Sequence, residues 1–120
     1  MVIELAWAER FAQAWCADWN SHDLDRIVAH FTDDVQWASP VAARMTGSAR
    51  LDGRDALRSY FAVGLQRLPD LRFTVESVRT GIDTVVIDYR NERGQAVSEV
   101  LTIRDGLIAA GFGAYGALPQ

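Results

Sequence analysis

The chain has 120 residues, 49% of them hydrophobic and 23% charged, and a formal net charge of −4. That length suits one domain spanning 1–120 with one core, and the balance argues against disorder, nucleic acid or an anionic membrane surface as partner. Cys16 is the single cysteine and all twelve basic residues are arginine, which removes an intrachain disulfide, a thiolate zinc cluster and lysine Schiff-base chemistry, and fits a GC-rich bacterial genome.

Ile3, Trp7, Phe11, Trp15 and Trp19 recur every four residues, with Leu5, Ala8, Ala12 and Cys16 in the adjacent row. This predicts an amphipathic helix over about 2–19. Its start carries acids where a secretory signal carries basic residues, and no apolar run is long enough to span a bilayer, so a cytoplasmic protein is expected. "NSHD" at 20–23 supplies cap-type residues before a short helix whose stripe is Leu24, Ile27, Val28 and Phe31. A turn at Asp33 and Asp34 leads to a short strand with Val35, Trp37 and Ser39 on one face, stopped by Pro40.

Residues 41–52, "VAARMTGSARLD", show no period and predict a long loop of the kind that often covers a site. After Gly53 a third helix carries Leu57, Tyr60, Phe61, Leu65 and Leu68 on one face. From Leu71 the period becomes two. Four strands follow at about 71–79, 83–91, 96–104 and 107–115, joined by hairpin-type turns. Helices followed by a meander predict an α+β fold, a curved antiparallel sheet with three helices from the N-terminal half packed on one face.

The strand "AVSEVLTI" places Glu99 between Val97 and Leu101 on its apolar face. An ionised carboxylate without a partner is costly there. The last strand, "LIAAGFGAY", carries Ala109, Gly111 and Gly113 on one parity, so that side leaves space. Together these predict a cavity between sheet and helices with Glu99 at its floor, its pKa raised by desolvation, available as hydrogen-bond donor or acid/base. The competing reading sets an arginine opposite Glu99 in a structural ion pair.

"WCADWNSHDLDRIVAHFTDDVQWASP", "LDGRDALRSYF" and "SEVLTIRDGLIAAGFGAY" resemble the nuclear-transport-factor-2-like superfamily, in its SnoaL-like and ketosteroid-isomerase-like branches. The resemblance implies a cone-shaped α+β barrel, a deep pocket and a homodimer through the outer sheet face. It also implies three positions for the isomerase machinery: the general base falls on Ser39, the oxyanion-hole tyrosine on Trp15 and the protonated acid on Glu99. Only the acid keeps its chemistry. A serine is no base near neutral pH without a partner, so steroid isomerisation by that route is not expected. The acid that SnoaL-type cyclases carry on the last strand has no counterpart in "AAGFGAY".

The expected site therefore has Glu99 as the catalytic group and Trp15, Trp19, Trp37, Ser39, Tyr60, Phe73 and Tyr89 as ligand-binding residues, with no cofactor and no metal. Its ligand is a small hydrophobic, carbonyl-bearing metabolite. A non-catalytic ligand binder or dimeric scaffold is the alternative. His22 and His30 read as a cap and an edge-of-core residue, and Asp33 and Asp34 as cap and solubility residues. Arg44 and Arg50 could grip an anionic group, though loop arginines are more often solvated. Val86, Val100, Ile108 and Phe112 are read as the outward apolar face that pairs two copies.

Overall fold

The computed structural model describes residues 1–119. Ten elements follow in chain order: α1 (Leu5–Ser21), α2 (Leu24–Val28), β1 (Phe31–Ala38), α3 (Pro40–Thr46), β2 (Arg50–Asp52), α4 (Arg54–Arg67), β3 (Thr74–Gly81), β4 (Thr84–Arg90), β5 (Ala96–Arg104) and β6 (Leu107–Tyr115). The strands form one curved, unclosed sheet in the order β2-β1-β6-β5-β4-β3. The α+β expectation holds, with four helices in place of three. Pairing is antiparallel except between β1 and β6, which run parallel.

Helix α1 buries Ala8, Phe11, Ala12, Trp15 and Trp19, the spacing expected of one helical face. It ends at His22, whose left-handed backbone (φ 61°) returns its N–H to the Trp19 carbonyl. Asp23 then caps α2 by accepting from the Arg26 N–H. Phe31, expected on that short helix, instead opens β1 and is buried.

The expected loop over 41–52 is largely ordered into α3 and β2. Ser39 caps α3, its Oγ accepting from the Val41 and Ala42 N–H groups, Pro40 sits where a missing N–H costs nothing, and Gly47 at φ 80° closes the helix. Seven residues are too few to display a helical period, which is why the pattern read as a loop. Asp33 and Asp34 lie in β1 and not in a turn; they are exposed and pair with Arg54 and Arg104.

Strand β3 begins three residues later than the period suggests. Asn20 occupies the backbone of Phe73 from both sides, its Nδ2 donating to the Phe73 carbonyl at 2.9 Å and its Oδ1 accepting the Phe73 N–H at 2.7 Å. Groups that a neighbouring strand would satisfy are met by a helix side chain.

An irregularity in the β5–β6 register, between Thr102 and Ile103, changes the parity of the last strand. Ile108, expected outward, is fully buried, and Gly111, Gly113 and Tyr115 share its side of the sheet. Gly111 is the tightest point. A Cβ there would meet the Trp37 ring at 2.7 Å and the Val100 carbonyl oxygen at 2.8 Å. The Trp37 indole therefore rests against β6 where the strand has no side chain, at the register pair that joins β1 to β6. At Gly113 the nearest atom would be a Tyr115 ring carbon at 3.2 Å, a milder approach. Gly111→Ala is expected to destabilise the fold by about 1–3 kcal/mol and Gly113→Ala by less, because only the first meets backbone. Urea unfolding of both variants measures the order.

Candidate functional site

The layer between sheet and helices is incompletely filled. A cavity of about 250 Å³ remains, walled by Trp15 and Trp19 from α1, Phe31 and Trp37 from β1, Tyr60 and Phe61 from α4, and Tyr89, Glu99 and Tyr115 from β4, β5 and β6. The lining continues with Val41, Arg44 and Met45 of α3, Gly64 of α4, Leu68 and Leu71 just after it, and the β4–β5 hairpin at Asn91, Glu92, Arg93 and Gln95. The hairpin is held firmly: the Asn91 side chain accepts from the Arg93 and Gln95 N–H groups, and Gln95 donates to the Gly116 carbonyl.

Aromatic rings place one another. Trp15 stacks on Phe73 at 5.7 Å and meets Tyr89 edge-on at 5.3 Å, while Phe73 lies 4.4 Å from Tyr89. Since Asn20 fixes the Phe73 backbone and His22 Nε2 bonds the Leu71 carbonyl at 2.8 Å, the last turn of α1 sets this whole wall. His30 pairs with Asp18 at 2.7 Å, outside the cavity lining.

Glu99 is 7% exposed, and the only side-chain hydrogen bond it makes among the described residues is from the Tyr89 hydroxyl to Oε1 at 2.9 Å. No arginine faces it among the described residues, so the structural ion pair is not formed. Oε2 is buried without a partner and lies beside Gly113, directly across the β5–β6 ladder. Desolvation pushes the Glu99 pKa up to about 8, against a smaller lowering by the Tyr89 bond. The acid is thus mostly neutral at pH 7. With Oε1 accepting from Tyr89, its proton sits on Oε2, beside Gly113. Burial and the nearby Glu99 together raise the Tyr89 phenol well above its ordinary value, so it donates and does not ionise.

Seven of the eight expected site residues, Glu99, Trp15, Trp19, Trp37, Tyr60, Phe73 and Tyr89, line this one cavity. Ser39 does not. It is 4% exposed and its hydroxyl is engaged as the α3 cap; burial raises the nearby Tyr60 and Tyr115 phenols above their ordinary value, against a smaller lowering by the Ser39 hydroxyl. Arg44 joins the cavity lining, while Arg50 stays on exposed β2. Tyr115 and the 91–95 hairpin were missed by the sequence reading. Continuing the Gly111, Gly113 alternation by two residues finds Tyr115; the hairpin has no such signal.

Residues 12–111 match the SnoaL-like domain. The chain belongs to the SnoaL-like family. Among solved structures, a SnoaL-like protein of unknown function from Burkholderia thailandensis is 31% identical, over 98% of this chain and 100% of that one, with a TM-score of 0.93. Two more distant structures show the fold alone. A putative ketosteroid isomerase from Kribbella flavida is 16% identical over 96% of this chain and 82% of its own, with a TM-score of 0.74. TerC, co-crystallised with polyporic acid, is 18% identical over 92% of each chain, with a TM-score of 0.76. No curated protein matches this SnoaL-like chain in sequence. None of its helices, among the described residues, is long and apolar enough to cross a membrane.

The raised acid has a consequence for stability. The unfolded chain loses the Glu99 proton near 4.5 while the folded protein keeps it to about 8, so the folded state binds more protons across that window. Stability contributed by this group therefore falls as pH climbs from about 4.5 to about 8, then levels off. Glu99→Gln is expected to lack that decline and to exceed the native protein at pH 8.5 by about 2–4 kcal/mol. Thermal melts of both proteins over this pH range test it; parallel curves would put the carboxyl in contact with bulk water.

Proposed function

We propose that this SnoaL-like domain binds a small, hydrophobic, carbonyl-bearing molecule in the cavity and acts on it as a cofactor-independent isomerase, cyclase or dehydratase. One observation carries this reading: Glu99 Oε2 is buried and unpartnered, on a residue that lines an aromatic-walled cavity. A neutral carboxylic acid there donates to a carbonyl oxygen and stabilises negative charge that develops on that oxygen. The Tyr89 hydroxyl holds the carboxyl in place through Oε1. Trp15, Trp37, Phe73 and Tyr60 would position the flat part of the substrate. The co-crystal of TerC with polyporic acid supports a small-molecule ligand for a pocket of this fold.

A second reading has an observation of its own. Ser39 is consumed as a helix cap and supplies no base, which favours a binder that holds its ligand without turning it over.

Mass spectrometry of the native protein purified from its host would name the chemical class through a co-purifying molecule. With that substrate, Glu99→Gln is expected to lower kcat by about 10²-fold or more and to change affinity by less than about tenfold. Turnover should decline as pH rises through about 8, since the active form is the protonated one. An affinity loss with no turnover to lose assigns the binder instead.

We also infer a homodimer through the outer sheet face. Val86, Val100 and Phe112 are register neighbours across β4, β5 and β6, and Phe112 is 50% exposed. A row of apolar side chains on an open sheet face is a common mark of pairing. Sedimentation at micromolar concentration is expected to give a dimer for the native chain and a monomer for Phe112→Arg. A native monomer removes the claim.

A further inference from the structure

Beside Glu99 Oε2, one other buried side-chain polar atom among the described residues has no partner, and its residue lines the same cavity: Trp19 Nε1. Trp19 is 9% exposed and sits edge-to-face on Phe61 at 4.7 Å and tilted on Phe73 at 5.5 Å. An indole N–H donates and does not accept. Burying it without an acceptor is unfavourable, and native interiors rarely do so.

Both orphaned atoms are therefore donors. The neutral Glu99 presents its proton on Oε2, because Oε1 already accepts from Tyr89. They sit on different elements. Glu99 stands on β5 against Gly113, Trp19 on the last turns of α1 against Phe61, and the Phe73 ring touches both Tyr89 at 4.4 Å and Trp19 at 5.5 Å. The cavity that both residues line is walled largely by aromatic rings. Its 250 Å³ would hold about eight waters at about 30 Å³ each, just under the usual range for drug-sized ligands.

We propose that Trp19 Nε1–H and Glu99 Oε2–H hold the two ends of one ligand, a flat apolar molecule of one or two rings that carries two separated oxygen acceptors. The inference rests on the reading of Glu99 given above and adds the second acceptor and the residue that selects it. Diketones and hydroxyketones of small aromatic ring systems have this form. A ligand with a single oxygen leaves one donor unsatisfied, so the site discriminates by the penalty of an unpaired buried group.

Three neutral probes test this: naphthalene, 2-acetylnaphthalene and 2,6-diacetylnaphthalene, with affinity read by tryptophan fluorescence and indole protons by NMR of ¹⁵N-labelled protein. The diketone is expected to bind about three- to tenfold tighter than the monoketone, and Trp19→Phe to erase that ratio whatever it does to the affinity of all three probes together. In the unsubstituted protein the Trp19 indole proton should move downfield with the diketone and not with the monoketone, a readout that survives if the variant folds poorly. A gain that persists in Trp19→Phe, no gain at all, or an unmoved resonance overturns the proposal and leaves the N–H resting on the Phe61 ring. Glu99→Leu separates the two readings. If it abolishes the advantage of monoketone over naphthalene, the role of Glu99 stands even when that of Trp19 falls; if it changes neither ketone, or none of the three probes binds, both fall.

Discussion

The arrangement depends on one carboxyl kept out of water. Glu99 sits on the inner face of β5 with a single phenol bonded to Oε1 and nothing bonded to Oε2. Its neighbour across the ladder is Gly113, and the side chain that shares the space at its tip is the Tyr115 phenol. Any cation beside it would return the group to its ionised form and remove its capacity to donate. The surrounding shell of indole, phenyl and phenol rings supplies desolvation without supplying charge. Burial here is destabilising at neutral pH, and a feature that costs stability in a small domain points to a role in the site more than in the core.

Much of this was legible in the sequence, for a definite reason. Strict alternation over 96–104 put Glu99 on the apolar side, and the period of four over the first helix put Trp15 and Trp19 on a common face. Features that rely on one-residue events were not legible. The register shift at Thr102 moved Ile108 inward, α3 was too short to show a period, and the parallel pairing of β1 with β6 leaves no local signature. The Asn20 grip on Phe73 also lay beyond pattern reading, since it joins a helix to a distant backbone through a side chain of an ordinary polar type.

The position of Ser39 shows how a shared fold parts from a shared activity. The resemblance to the isomerases places a base there, yet in this chain the hydroxyl is spent on two backbone N–H groups that start α3. At Trp15 an indole packs against Phe73 and Tyr89, where the resemblance expects a phenol, and the phenol that bonds to the acid comes from β4. The acid is retained and its support is drawn from another strand. Chemistry in such a scaffold resides in a few side chains, and these are the ones that differ.

The junction of β1 with β6 has a temporal meaning as well. Trp37 finds its bed on Gly111 only when nearly all of the intervening chain is in place, so the enclosure cannot exist in any partly assembled intermediate that lacks the last strand. Pairings so remote in sequence are slow to form, because a long loop must close before the contact repays it. Acquiring a native topology and acquiring a chamber for a guest are then a single late event, and a guest present at that moment would act on the final step of folding and not on the earlier ones.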